Sequence, residues 1–354
     1  MLEKPDLQDE SIIACLRDEY SLRVAQVAFL PLGADLNTAV YRVVTDDETP
    51  YFLKLRSGVF DEISVALPKF LSDQGIKQII APLPTKSGQL RANLDTFKTI
   101  LYPFVEGGDG YAVKMSEQQW NEFGSALKRI HTLDVPPMLA DPIRREAFSP
   151  RWRETARMFL ERIDDDVLDD PVAINLVAFL KMKHDEILNL IERAECLAQS
   201  LQERPPEFVL CHSDVHAANI LIDAGGNFHI VDWDDPILAP KERDLMFIGG
   251  AQGFISHSAQ EEQTLFYRGY GQTEIDPIAL AYYRYERIIE DIAIYCEQLL
   301  LTPEGGEDRE QSLHYLKSNF LPNGTIEMAR QSDQTLREEH KITLWVENTS
   351  KQDN

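Results

Sequence analysis

The sequence is poor in cysteine, short of positive charge and free of long apolar runs. Its four cysteines (Cys15, Cys196, Cys211 and Cys296) lie far apart in 354 residues and never form C-x-x-C. That removes the usual sequence signals for a zinc site or a redox dithiol. Lys and Arg number 35 against 59 Asp and Glu, a formal net charge of −24. A nucleic-acid binder displaces counterions with a basic stripe, and this chain has no surplus to build one. The same deficit disfavours an anionic membrane surface and suits a cationic ligand. No apolar run approaches the ~20 residues needed to cross a bilayer. The opening MLEKPDLQDE is acidic and has no apolar core, unlike a secretory leader. A cytoplasmic protein is expected. No G-x-x-x-x-G-K-[ST] occurs, and no G-x-G-x-x-G follows a strand, which excludes a Walker-type ATPase and disfavours a Rossmann dehydrogenase.

What is present is ordinary for a globular chain: 44% apolar and 27% charged residues, and a length that predicts two domains or lobes. Residues 1–105 are rich in strand signals. A helix is expected over Ser11–Tyr20, followed by strands at Val24–Leu32, Ala39–Val44 and Tyr51–Leu55. A helix from Asp61 to Ser72 places Ile63, Leu67, Phe70 and Leu71 on one face, but Pro68 lies inside it and predicts a kink or an early break. Strands follow at Ile79–Leu83, Gln89–Asn93 and Phe97–Phe104. Together these make a small antiparallel sheet with one helix on it. The stretch VEGGDG at 105–110 reads as a hinge. Residues 106–354 are mostly helical, with patterns at 151–163, 172–200, 277–300 and 308–320. Ser116 and Gln119 form a capping box ahead of the stripe Trp120, Phe123, Leu127 and Ile130. A polar tail after about Thr335 is expected to be loosely held. The fold class is therefore α+β, with an N-terminal lobe at 1–105 and a C-terminal lobe at 106–354.

One β island, Phe208–Trp233, interrupts the helices and carries the chemistry. Ile220–Ile222 and Phe228–Val231 read as two strands around a Gly-Gly turn. In an antiparallel hairpin the start of one strand lies beside the end of the other, with neighbouring strands ~5 Å apart. Asn219 should therefore lie next to Asp232. An amide oxygen and a carboxylate make a hard-oxygen site that suits Mg²⁺, which takes few protein ligands and fills its shell with water and phosphate oxygens. Asp214 sits on the entering loop, beside such a metal. An acid that accepts a hydroxyl proton, with an Asn and a second Asp on Mg²⁺, is the arrangement of a kinase catalytic loop. His212, Asp214 and His216 alternate and would share a face on a strand, which leaves zinc hydrolysis as a rival reading. His212 reads better as a buttress of the loop, and His216 acquires no role.

The nucleotide side needs a lysine on the small sheet, and Lys54 in FLKL is such a residue, able to meet α- and β-phosphate oxygens. A lysine reaching solvent at a strand edge is the alternative. Glu62, in the first turn of the next helix, is placed to orient Lys54, or simply to compensate the helix dipole. The loop at 31–39 would cover the phosphates. It holds Gly33, and Asn37 and Thr38 could add donors. The adenine should meet the strand that leaves the small lobe, at Tyr102–Phe104.

The pattern H-x-D-x-x-x-x-N at His212, Asp214 and Asn219 resembles the loop of the aminoglycoside phosphotransferase and choline kinase families, which are kinase-like. It departs from protein kinases, whose loop has Arg where Ser213 stands; without that Arg the resemblance implies constitutive activity. Gly33, Lys54, Glu62, a hinge near Pro103, Asp214, Asn219 and Asp232 fall in the family's order from about residue 10 to 320. Segments 209–219, 230–250 and 283–295 look closer still to members acting on aminocyclitols. The resemblance implies a two-lobed protein-kinase-like fold. It also implies transfer of a γ-phosphoryl group from Mg·ATP or Mg·GTP to a hydroxyl of an aminocyclitol or aminoglycoside antibiotic, spectinomycin foremost. Asp214 would be the base, Asn219 and Asp232 the metal ligands. Asp244 would anchor the segment after the metal site. Asp234, Asp235, Glu286, Glu290 and Asp291 could pair with the protonated amines of the substrate; a solvated acidic face, with Arg287 and Asp291 as an i,i+4 pair, is the alternative. Three rivals remain open. One is a kinase of choline, homoserine, a sugar or another hydroxylated metabolite; the others are a non-catalytic kinase-like binding protein and a zinc hydrolase.

Overall fold

The computed structural model describes residues 3–33, 35, 37–162, 169–249, 257–302 and 305–334. The tail expected to be loose after about Thr335 lies outside the described residues. Helix α1 (Asp9–Tyr20) opens the chain, and strands β1 (Val24–Leu30), β2 (Thr38–Thr45) and β3 (Pro50–Arg56) follow. After helix α2 (Ile63–Asp73) come β4 (Ala92–Leu94) and β5 (Phe97–Pro103). These five strands form one antiparallel sheet in the order β1-β2-β3-β5-β4. Side chains alternate across a strand, so β3 gives its two faces different duties. Leu53 and Leu55 pack with Ile12 and Leu16 of α1 and with Tyr41 and Val43 of β2 in a small core. Lys54 and Arg56 take the opposite face.

Two expectations fail here. Ile79–Leu83 forms no strand; Ile79 makes only a bridge to Ile230. The helix at Pro68 does not break but runs on to Asp73. Its apolar face is drawn into the larger core, where Ile63, Leu67 and Leu71 are buried with Trp120 and Phe123, and that burial outweighs the hydrogen bond proline cannot make.

The glycine run read as a hinge contains strand β6 (Gly107–Asp109). β6 pairs antiparallel with β9 (Ile220–Asp223), which pairs with β10 (Phe228–Ile230). A Cβ on Gly107 would lie 2.0 Å from the Ile222 carbonyl oxygen. Glycine is needed there for close approach of two backbones, not for mobility. Helices α3 (Glu117–Thr132), α4 (Pro137–Ala140), α5 (Arg151–Glu161) and α6 (Pro171–Glu203) follow, with a short strand β7 (Arg144–Arg145) before α5. The expected capping box at Ser116 and Gln119 is formed. Strand β8 (Val209–Cys211) precedes the hairpin, and β11 (Ile237–Ala239) lies between β7 and β8 in a third sheet. The chain then runs through α7 (Glu242–Leu245), α8 (Ala259–Tyr270), α9 (Pro277–Leu301) and α10 (Gly306–Ser318), and residues 325–334 are helical. Helices α4, α7 and α8 and strands β6, β7 and β11 were not anticipated. No helix among the described residues is long and apolar enough to cross a membrane.

Candidate active site

The loop between β8 and β9 is held by one buried acid. The backbone N–H groups of His212 and Ser213 donate to the two carboxylate oxygens of Asp244, at 2.9 and 2.7 Å. His131 Nε2 lies 3.0 Å from the same carboxylate. Burial works against the charge of Asp244, but the His131 hydrogen bond and the backbone donors hold it below its ordinary value. Asp244 therefore ties the segment that follows the hairpin to the loop that precedes it. Ser213 adopts φ 76°, a left-handed conformation uncommon outside glycine, and turns the chain so that Asp214 projects from the loop. His212 buttresses it from behind. Its Nδ1 accepts from the Asp214 N–H at 3.2 Å, its Nε2 donates to the Val231 carbonyl at 2.9 Å, and its ring stands edge-on to Trp233. Both ring nitrogens are thus engaged. The segment is a loop rather than a strand, and the zinc reading loses the shared face it needed. His216, left without a role above, accepts from the Ala218 N–H at 3.2 Å and caps the 3-10 turn Ala217–Asn219.

The hairpin brings Asn219 to the end of β10. The Val231 N–H donates to the Asn219 carbonyl at 3.0 Å, one residue before Asp232, which also has a left-handed φ of 66°. The Asn219 side-chain N–H groups donate to the Asp214 carbonyl at 2.8 Å and to its carboxylate at 3.3 Å. That fixes the amide orientation and leaves its oxygen as the group Asn219 can offer a cation. An amide oxygen and a carboxylate in one place form a hard-oxygen donor set of the kind Mg²⁺ accepts.

Lys54 reaches this place from the sheet. It stands on the middle strand, not at an edge, and is only 9% exposed. Its Nζ lies 2.7 Å from Asp232 and 2.8 Å from Asp234. Burial opposes its charge, yet the two carboxylates push its pKa up. Lys54 in turn holds Asp232 below the usual carboxylate range, while burial raises Asp234. Arg56, two residues on along the same face, also pairs with Asp234 and lies 3.7 Å from Asp35 in the β1–β2 loop. Arg56 went unremarked in the sequence, although its i,i+2 spacing from Lys54 was the available signal.

The remaining predicted residues divide. Gly33 takes φ 87° in the β1–β2 loop, where Asp35 accepts from the Asn37 N–H at 2.8 Å. Tyr102 and Phe104 lie at the end of β5; Tyr102 pairs across the sheet with Phe52, and the Arg42 guanidinium stands 5.1 Å from the centre of the Phe104 ring. Glu62 does not orient Lys54. Its carboxylate takes Arg91, whose Nε lies 2.6 Å away, and Lys54 is satisfied by the two aspartates instead. Among the acids assigned to a cationic substrate, Asp234 is bound by Lys54 and Arg56. Glu286 is buried against Arg153 at 2.5 Å, because a charge removed from water must find a partner. Asp291 accepts from Arg287 Nε at 3.1 Å and from Asn319 at 3.3 Å, so the expected i,i+4 pair exists. Glu290 lies 3.5 Å from Arg243. Asp235 is exposed at the mouth of the loop, its backbone carbonyl accepting from the Ser213 hydroxyl at 2.8 Å.

One contact on Asp214 had no sequence signal. Arg287 Nη1 of α9 lies 2.5 Å from Asp214 Oδ1, and His216 Nε2 lies 3.4 Å from Oδ2. Burial works against the Asp214 charge, but the Arg287 guanidinium, aided by His216, holds its carboxyl far below the usual range. The site thus gathers an ionised acid on a rigid loop, a hard-oxygen pair, and a lysine and arginine facing them from the sheet. Such a set can receive a polyphosphate and a hydroxyl side by side.

Comparison with known proteins bears on this geometry. Residues 28–281 match the phosphotransferase enzyme family. The structure superposes on spectinomycin phosphotransferase APH(9)-Ia in complex with ADP and spectinomycin with a TM-score of 0.86 and 37% identity, covering 94% of this chain and 100% of that one. Choline kinase LicA from Streptococcus pneumoniae matches with a TM-score of 0.54 at 14% identity, over 91% of this chain and 99% of its own, a likeness of fold alone. Protein StrN of Streptomyces griseus is 25% identical over 261 residues, 69% of this chain and 77% of its own. With an antiparallel-sheet N-terminal part, a helical C-terminal part and a match over most of its length, this chain belongs to the phosphotransferase enzyme family and has its two-lobed kinase-like fold.

Proposed function

We propose that this enzyme transfers the γ-phosphoryl group of ATP or GTP to a hydroxyl of an aminocyclitol antibiotic, with spectinomycin as the foremost candidate. The observation that carries the reading is the convergence of Asp214 from the entering loop, Asn219 and Asp232 from the hairpin ends, and Lys54 from the sheet. The similarity to a structure that holds ADP and spectinomycin supports the choice of donor and acceptor. In this reading Asp214 receives the acceptor hydroxyl and takes its proton as the acceptor oxygen bonds to the γ-phosphorus and the bridging bond between the γ-phosphorus and the β-phosphate oxygen breaks, releasing ADP or GDP. Lys54 and Arg56 exchange their present carboxylate partners for phosphate oxygens, and Gly33 and Asn37 lie over the phosphates from the β1–β2 loop. Tyr102 and Phe104 border the adenine. Asn219 and Asp232 would hold Mg²⁺, which when bound supplies neutralisation of phosphate charge. Most of the rate then comes from positioning and electrostatics, since phosphoryl transfer asks for little covalent help.

The acceptor side has fewer acids to offer than the sequence suggested, because Asp234, Glu286, Glu290 and Asp291 already have cations. Asp235 is the carboxylate we assign to an ammonium group of the substrate. We place the enzyme in the cytoplasm, where its donor nucleotide is made, and take the lobe boundary near residue 105.

Mass spectrometry of spectinomycin after incubation with the protein and Mg·ATP or Mg·GTP tests the proposal. A gain of one phosphate on the antibiotic is expected. Unmodified spectinomycin, with phosphate appearing instead on choline, homoserine or a sugar in parallel reactions, would overturn the substrate while keeping the reaction. No transfer to any acceptor and no Mg-dependent nucleotide binding would overturn both.

A further inference from the structure

We propose that Arg287 is a positioning residue for Asp214, and that its guanidinium, braced from the C-terminal helices, sets the direction of the acceptor base. The inference rests on the phosphotransfer reading and goes one residue beyond it. Three side-chain contacts hold the Asp214 carboxylate: Arg287 on Oδ1 at 2.5 Å, and Asn219 and His216 on Oδ2 at 3.3 and 3.4 Å. The shortest comes from another element altogether, α9, which lies 73 residues further along the chain.

Arg287 is itself braced. Its Nε donates to Asp291 Oδ1 at 3.1 Å. The other Asp291 oxygen accepts from Asn319 at 3.3 Å, and the Asn319 side-chain oxygen accepts from the Thr325 hydroxyl at 2.7 Å. A relay of polar contacts therefore runs from the segment after α10, through α9, to the base. A guanidinium presents its donors at fixed angles in one plane. Anchored through Nε, it can meet Asp214 in one direction only; a lysine ammonium could make either bond but not impose that angle.

The backbone of the loop does not depend on this contact. Asp244 holds His212 and Ser213 independently, so removing Arg287 should leave the Asp214 carboxylate on its two longer contacts to Asn219 and His216 and its loop in place. A carboxylate oxygen has two lone pairs, so Oδ1 can keep Arg287 while accepting the substrate hydroxyl. Arg287 then acts through Asp214 and need not touch the reacting atoms.

The test uses the full-length chain with Arg287→Ala, Arg287→Lys, Asp291→Asn and Asp214→Asn. Turnover of spectinomycin with Mg·ATP or Mg·GTP and basal nucleotide hydrolysis without acceptor are both measured, so a readout exists whether or not spectinomycin is accepted. Misaiming a reacting group by about 1 Å can lower a rate by about 100-fold, and a loss of that order in kcat is expected for Arg287→Ala. Arg287→Lys and Asp291→Asn should fall between it and the wild type. Nucleotide affinity and binding stoichiometry by calorimetry should be unchanged in all three. Arg287→Ala with kcat within twofold of the wild type overturns the proposal. So does a loss of kcat matched by an equal loss of nucleotide-binding sites, which would make Arg287 a folding residue. Asp214→Asn separates the two layers. If it retains turnover, the role of Asp214 fails; if it is inactive while Arg287→Ala is normal, only the role of Arg287 fails.

Discussion

The β9–β10 hairpin and helix α9 both carry acidic residues that looked suited to a site, and the fold uses them differently. On the hairpin side, strand register brings Asn219 to the end of β10 before Asp232, the loop entering the hairpin adds Asp214, and Lys54 arrives from the sheet to face them. On α9, each of the three candidate acids has met an arginine: Glu286 with Arg153, Glu290 with Arg243, Asp291 with Arg287. Of these, Glu286 is the most deeply buried, its side chain 6% exposed. Spacing along a helix reports which acids share a face. It does not report what is packed against that face, and packing decides whether a carboxylate meets a ligand or a neighbour.

Asp214→Asn gives the largest expected effect and tests the hairpin side. A positioned base contributes about 10²–10⁴-fold, so turnover should fall by at least ~100-fold while nucleotide affinity in calorimetry stays unchanged. Near-normal turnover would erase the distinction between the two regions.

Arg153→Met tests the helix side. Leaving a buried charge unpaired costs about 3–5 kcal/mol, which should appear as a lower midpoint in urea unfolding. KM for the acceptor should not move in the protein that remains folded. A raised KM at unchanged stability would return Glu286 to the substrate site.

Glu262 of α8 sharpens the comparison, because it is an acid with no cation among the described residues. It is 1% exposed, and one of its carboxylate oxygens has no hydrogen-bond partner. Burial pushes its pKa from 4.5 up to about 7. The native state then holds this proton more tightly than the unfolded chain does, so its contribution to stability falls as pH rises from about 4.5 to 7 and is flat above. Glu262→Gln should remove that slope, gaining on the wild type between pH 4.5 and 8 in denaturant titrations. An unchanged slope would mean that Glu262 is ionised throughout.

Glu62→Gln should do least. Its partner Arg91 is a surface contact, with the Glu62 side chain 60% exposed, and such pairs contribute about 0–1 kcal/mol. The nucleotide KM should stay within about twofold. A tenfold rise would restore the Lys54–Glu62 pairing that the structure replaces with Lys54–Asp232 and Lys54–Asp234.

Where the evidence for an element is local, it was legible. The long helices α6 and α9, the sheet strands β2, β3 and β5 and the hairpin all announce themselves through periodicity or turn residues. The Asn219–Asp232 adjacency needs only a two-residue-period ladder and a Gly-Gly turn. Local rules failed where a distant surface outvoted them. Pro68 should interrupt α2, but Leu67 and Leu71 are pulled into a core assembled from α3 and beyond. The glycines at 107 and 108 suggest freedom, yet they form a strand because the backbone of β9 lies too close to admit a side chain on Gly107.

The sequence by itself determined the two-lobed plan, the loop that carries Asp214, and the pairing of two oxygen donors at the mouth of a hairpin, because each depends on residues a few positions apart and on geometry repeated along the backbone. Only the tertiary structure decided which cation each acid would meet. Lys54 lies 178 residues from Asp232, Arg153 133 from Glu286, and Arg287 73 from Asp214. Charges attract without regard to sequence, so those partnerships exist only once packing has brought the elements together and removed the water between them.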